Sequence, residues 1–140
     1  MAFHGSCAAF GDDAVVLLGP PGSGKSDLLL QLIDRGFELV GDDQFELDRG
    51  RVRPAFRLDG LMEVRGLGIF HLPHRPSAHL RLAVHLDGPA PRLPEPRTHP
   101  EFGIPEIRID PVTPTAAIRI TWALKAACGR KTQSCGAFAS

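Results

Sequence analysis

The stretch AVVLLGPPGSGKS (Ala14–Ser26) decides the reading of this chain. Five apolar residues make a buried strand. Gly19-Pro20-Pro21-Gly22-Ser23-Gly24-Lys25-Ser26 then fits G-x-x-x-x-G-K-[ST] without a mismatch. Glycines let a backbone turn tightly and aim its N–H groups at an anion, and the following helix adds its positive N-terminal end. Lys25 is placed to reach β- and γ-phosphates, and the Ser26 hydroxyl to ligate Mg²⁺. A surface loop can match by chance, but the strand pattern before the motif and the helix pattern after it argue for a phosphate loop.

Outward from the loop, Lys25–Arg35 reads as a helix with Leu28, Leu29 and Ile33 on its apolar face, and Gly36 as its stop. Phe37–Val40 is then a strand, which completes a right-handed βαβ unit. On the N-terminal side, Gly5–Phe10 pairs as a hairpin with Ala14–Leu18 through the turn residues Gly11–Asp13. QFELDRGRVRPAF predicts a second hairpin turning at Arg49–Gly50. Gly60–Phe70, with three glycines and a charged centre, reads as neither strand nor helix. His79–Asp87 and Ile104–Asp110 read as strands, and Gly88–Pro100, with five prolines, as an extended mobile loop. A last helix spans Ala116–Ala127, with Thr113 as N-cap and Pro114 at its first position. Residues 1–128 are expected to form one catalytic domain and 129–140 a flexible tail. The fold class is α/β, a mixed sheet with flanking helices.

The 140 residues are 43% hydrophobic, enough to bury a core. Sixteen basic residues balance sixteen acidic ones, so nucleic acid and acidic membrane surfaces are not expected partners. No apolar run approaches the roughly 18 residues of a membrane span, and MAFHGSCAAFGDD lacks the pattern of a secretory signal, so the expected location is the cytoplasm. Cys7, Cys128 and Cys135 are odd in number and widely spaced, which predicts reduced thiols. The six histidines show no metal-ligand spacing, and most are expected at the surface.

Phosphoryl transfer needs a metal anchor and a group to orient or deprotonate the acceptor. Asp42 and Asp43 follow the strand after the phosphate loop. If that strand runs parallel to Ala14–Leu18, both carboxylates open on the loop's edge, where ligands of α/β sheets bind. One would serve near the metal and one as general base. Glu63-Val64-Arg65-Gly66-Leu67-Gly68 is a further feature: Glu63 suits a metal and Arg65 a phosphate.

HGSC, GPPGSGKS, LVGDDQ and LMEVRGLGIF, in this order and with these gaps, resemble the catalytic domain of the HPr kinase/phosphorylase family, in its short form. The resemblance covers about Phe3–Phe70. It implies an enzyme that uses ATP and Mg²⁺ to phosphorylate a serine of the phosphocarrier protein HPr and removes that phosphate by phosphorolysis. It implies that Gly19–Ser26 hold the ATP phosphates, with Lys25 on the transferred group and Ser26 on Mg²⁺. It makes Asp43 the catalytic base, Asp42 its metal-side support, Glu63 the second metal ligand, Arg65 the signature arginine, and His4 the histidine beside the base. It also implies a homo-oligomer, a hexamer in the family. Downstream of Phe70 the resemblance does not extend. The family's Pro-Gly-Arg-Asn-like loop, with another catalytic arginine, has no counterpart, and Arg92 and Arg97 are the nearest stand-ins. Two other functions fit a phosphate loop: an ATP-binding regulatory module without turnover, and a small-metabolite kinase.

Overall fold

The N-terminal hairpin forms as its turn residues dictate. The computed structural model describes residues 1–55 and 60–139; Phe56, at the end of the second expected hairpin, and Ser140 lie outside them. Strands β2 (Ser6–Phe10) and β3 (Asp13–Leu18) pair antiparallel from Ser6↔Leu17 to Phe10↔Asp13. The phosphate loop leads into α1 (Lys25–Asp34), and then comes β4 (Glu38–Gly41). β4 pairs antiparallel with the other edge of β2, so it runs parallel to β3 with β2 between them. The C-terminal ends of β3 and β4 therefore open on one edge of the sheet.

A short strand the sequence reading missed, β1 (Ala2–His4), precedes Gly5. A side chain at Gly5 would come within 2.9 Å of the Leu17 carbonyl and 3.0 Å of the Phe45 ring. Glycine thus lets the chain break there, with β1 pairing to β5 (Gln44–Asp48) and β2 to β3. β5 and β6 (Arg51–Pro54) form the second expected hairpin, with Arg49 and Gly50 at φ 52° and 79° as a tight primed turn demands.

β9 (Ala78–His85) is the central strand. One edge lies parallel to β3; the other is shared by β6 near its start and by β10 (Glu106–Arg108), parallel, near its end. The main sheet runs β1-β5-β6-β9-β3-β2-β4, with β10 beside β9. A register shift opposite Ala14 and Val15 breaks the alternation of β9. Leu80 and Leu82, two residues apart, consequently enter opposite cores. Val15, Leu17, Leu82 and Val84 pack under α1 and under α2 (Ala116–Ala127). On the other face Val16, Val40, Phe45 and Leu80 are buried, and Phe3 and Phe102 close over them edge to face.

Three expectations change. Residues 61–71 are not irregular: β7 (Leu61–Val64) and β8 (Gly68–His71) make a separate antiparallel hairpin. The glycines fall before it (Gly60), in its turn (Gly66, at φ 86°) and at the first position of β8 (Gly68), so they punctuate the strands rather than interrupt them. The cap of α2 is Thr115, not Thr113, and its hydroxyl accepts from Arg119 Nε at 2.8 Å instead of capping the helix. The residues after α2, expected to fray, make contacts: Arg130 donates to Asp13 at 2.8 Å, Lys131 lies 3.8 Å over the Trp122 ring, and Phe138 packs on the helix-side core.

Candidate phosphoryl-transfer site

The loop between β3 and α1 is held by its own backbone and by Lys25. Ser23 N–H donates to the Pro20 carbonyl at 3.1 Å. Gly24, at φ 97°, is the N-cap and brings no side-chain bond, so the first amides of α1 have no side-chain cap. Lys25 Nζ donates to the carbonyls of Gly19 at 2.6 Å and Pro20 at 3.0 Å. An ammonium has three donors, so one remains for an anion. Ser23 Oγ is buried without a hydrogen-bond partner. Uncapped helix amides and a spare ammonium proton in one loop fit a phosphate chain with a cation alongside.

This loop forms one wall of a cavity of about 510 Å³, a volume suited to a nucleotide-sized ligand. Gly22, Gly24, Lys25 and Ser26 line that wall, and Asp43, Glu63 and Arg65 line the rest. The β7–β8 hairpin thus brings Glu63 and Arg65 to the phosphate loop across some forty positions of sequence. Asp27, Leu30, Met62 and Val64 also line the cavity, and no sequence argument singled them out. Leu30 lies four residues after Ser26 and three after Asp27, spacings that place residues on a shared helix face.

The two adjacent aspartates separate. Asp43 sits at φ 65°, a left-handed conformation that Asp tolerates, and is exposed on the cavity wall. Its carbonyl accepts the Gly5 N–H at 2.9 Å. Asp42 is half-buried, lies outside the cavity lining, and accepts Ser6 Oγ at 2.9 Å. Burial pushes its pKa up, the Asp43 charge adds to this, and the Ser6 bond opposes it. His4 is exposed at the end of β1, opposite Gln44; the Gly5–Asp43 bond brings its backbone beside Asp43, but His4 is not among the lining residues. Gly19, Pro20 and Ser23 shape the loop from behind, while Pro21 reaches the cavity. Neither arginine stand-in reaches this cavity: Arg97 lines a different one, beside His85 and His99, and Arg92 lines neither.

The cysteines are free, Cys7 buried in the core with its thiol pKa raised by desolvation. Among the described residues no helix is long and apolar enough to cross a membrane.

Comparison with known proteins gives a consistent picture. The profile of the family described as HPr Serine kinase C-terminal domain matches residues 1–86. The HPr kinase/phosphorylase of Aromatoleum aromaticum is 39% identical, covering 84% of this chain and 43% of that protein. The HPr kinase/phosphorylase of Neisseria meningitidis is 38% identical, covering 59% of this chain and 30% of that protein. The chain thus spans less than half the length of these relatives. The structure of the Hpr(Ser) kinase/phosphatase from Coxiella burnetii superposes with a TM-score of 0.66 at 22% identity, covering 92% of both chains, which is a likeness of fold.

Proposed function

We propose that this chain, which belongs to the HPr Serine kinase C-terminal domain family, transfers the γ-phosphoryl group of ATP to a serine of the phosphocarrier protein HPr. One observation carries the reading: a single cavity gathers the phosphate loop, Asp43, Glu63 and Arg65. Mg²⁺·ATP, when bound, supplies the phosphoryl group and the charge that neutralises it.

The chain's own residues do the rest. The uncapped amides of α1 and Lys25 hold the phosphates, and Lys25 keeps the loop closed through Gly19 and Pro20. Ser26 and Glu63, which line the same cavity, would hold Mg²⁺. Asp43, exposed on the cavity wall, accepts the serine proton. Asp42 sits behind it, bonded to Ser6, and acts by holding the turn that aims Asp43 rather than by touching the substrate. His4 is the proton neighbour of Asp43, reached through the β1–β5 pairing. Arg65 faces the charge that spreads over the transferred group. In phosphorolysis, which the relatives' name implies, inorganic phosphate would take the phosphoryl group to give pyrophosphate, and Asp43, as acid, would return a proton to the serine oxygen.

Intact-mass spectrometry of HPr from the same organism, incubated with this protein and Mg·ATP, tests the proposal. The expected result is a gain of one phosphate on serine, absent with Lys25→Ala. Asp43→Asn keeps the left-handed turn and nucleotide binding but lowers transfer by about 10²- to 10⁴-fold. Nucleotide binding without any gain on HPr would overturn the kinase reading in favour of an ATP-binding regulator.

A further inference from the structure

We propose that His85, His99 and Glu106 form a binding site for one divalent transition-metal ion of the zinc type, separate from the phosphate-loop cavity. Ligand atoms of the three side chains lie within 4.8 Å of one another, and this is the one such cluster among the described residues. Sequence spacing hid it, because the ligands come from three segments. His85 ends β9, Glu106 begins the parallel neighbour β10, and His99 comes from the Pro-rich segment between them.

The ligand chemistry suits the ion. Two imidazoles and a carboxylate are a common zinc set, and three protein ligands leave a position open. The three side chains line a cavity of about 690 Å³, whose wall also carries Asp87, Glu95 and Glu101 against Arg97 and Arg108, with Arg108 paired to Asp87 at 2.6 Å. His99, expected at the surface, is only 8% exposed. Its ring stacks on Phe102 with centroids 3.9 Å apart and on His85 at 5.8 Å, so packing pre-sets its place. His85 Nε2 and Glu106 Oε2 are 2.7 Å apart, a hydrogen bond that a metal entering between them would replace. The Nδ1 atom of His99 accepts the amides of Glu101 and Phe102, both at 3.2 Å. A neutral ring ligating through Nε2 carries its proton on Nδ1, so loading exchanges these two long bonds for one to the metal. His99 is therefore the weakest of the three ligands.

The ion has a structural task. Between His85 and Glu106 the chain forms no helix or strand beyond the single bridge Thr98↔Pro105. A metal clip closes that segment onto the sheet, and closing a long irregular loop is where a clip contributes most. Leu86, next to His85, abuts Gly19: a side chain on Gly19 would meet Leu86 Cβ at 3.5 Å. The clip thus stiffens the strand end on which the phosphate loop rests.

The test is titration of chelator-treated protein with Co²⁺, with Mg²⁺ in excess to occupy oxygen sites, followed by visible absorption and thermal unfolding. The expected result is one Co²⁺ per chain with the intense bands of a low-coordinate site, displacement by Zn²⁺, and a higher unfolding midpoint. Glu106→Gln preserves a hydrogen bond to His85 and should fold; it and His85→Gln should each weaken binding by more than the roughly 10- to 100-fold lost with an outer-shell partner. Cys128→Ser and Cys135→Ser should leave the bands unchanged. Stoichiometry below one, or bands that survive in both ligand variants, would overturn the proposal.

Discussion

Asp42 and Asp43 are neighbours in sequence and occupy different environments. Asp43 turns through φ 65° onto the cavity wall, and Asp42 turns back onto Ser6. Burial raises the Asp42 pKa above the ordinary value of about 3.9. An acid whose folded pKa exceeds its unfolded one favours folding fully below the unfolded value, and that contribution is lost as pH rises through the folded value. At pH 7 the Asp42 charge therefore opposes the fold. Asp42→Asn removes the charge, and its amide oxygen still accepts from Ser6. Its thermal midpoint should exceed the parent's by a few degrees at pH 7, and the gap should close as pH falls to about 4. Scanning calorimetry at both pH values checks this; an equal gap at both would refute the burial argument.

The phosphate loop shows why an element can need a residue for space as much as for backbone freedom. A methyl on Gly19 would lie 2.6 Å from Ser23 Oγ and 3.1 Å from Ser23 Cβ. Gly19→Ala must therefore push Ser23, the residue whose hydroxyl is buried and unpartnered. Overpacking of this kind costs about 1–3 kcal/mol. Carried by the phosphate-binding form of the loop, that is roughly a 5- to 150-fold loss in ATP affinity. Ser23→Gly in the same chain removes the clash and should restore part of the affinity, read by fluorescent-nucleotide titration. No recovery would place the defect elsewhere. The β7–β8 hairpin makes the complementary point. It carries Glu63 and Arg65 to the loop while Leu67 and Ile69 stay 75% and 71% exposed. A two-stranded ribbon has no second apolar face of its own to bury.

At the scale of the whole molecule, contacts distant in sequence fix the periphery. Arg81 and Arg130 both bond Asp13, at 3.0 Å and 2.8 Å. Asp13 is half-buried but the two arginines are 42% and 44% exposed, so screening keeps each pair under about 1 kcal/mol. Phe138 contributes more, because it lays an aromatic ring on the core beneath α1 and α2. Phe138→Ala should cost about 1–2 kcal/mol, lowering the thermal midpoint by roughly 3–8 °C. A freely frayed tail would show no change. By itself the sequence determined the local elements: the β2–β3 and β5–β6 hairpins, α1, α2, β9 and the loop that joins β3 to α1. These follow from turn chemistry and hydrophobic period, which act over a few residues. Residue type also marked Asp42 and Asp43 alike, with Glu63 and Arg65, as candidates for one reaction, and only the family resemblance set Asp43 apart. Only the tertiary structure decided that β2 separates β3 from β4, that Asp42 turns away from the cavity, and that Arg97 lines a second cavity while Arg92 lines neither. The same holds for His85, His99 and Glu106, which meet through strand pairing and the path of the Pro-rich segment. Contacts of that kind depend on register, crossover and packing between distant segments, and no local spacing encodes them.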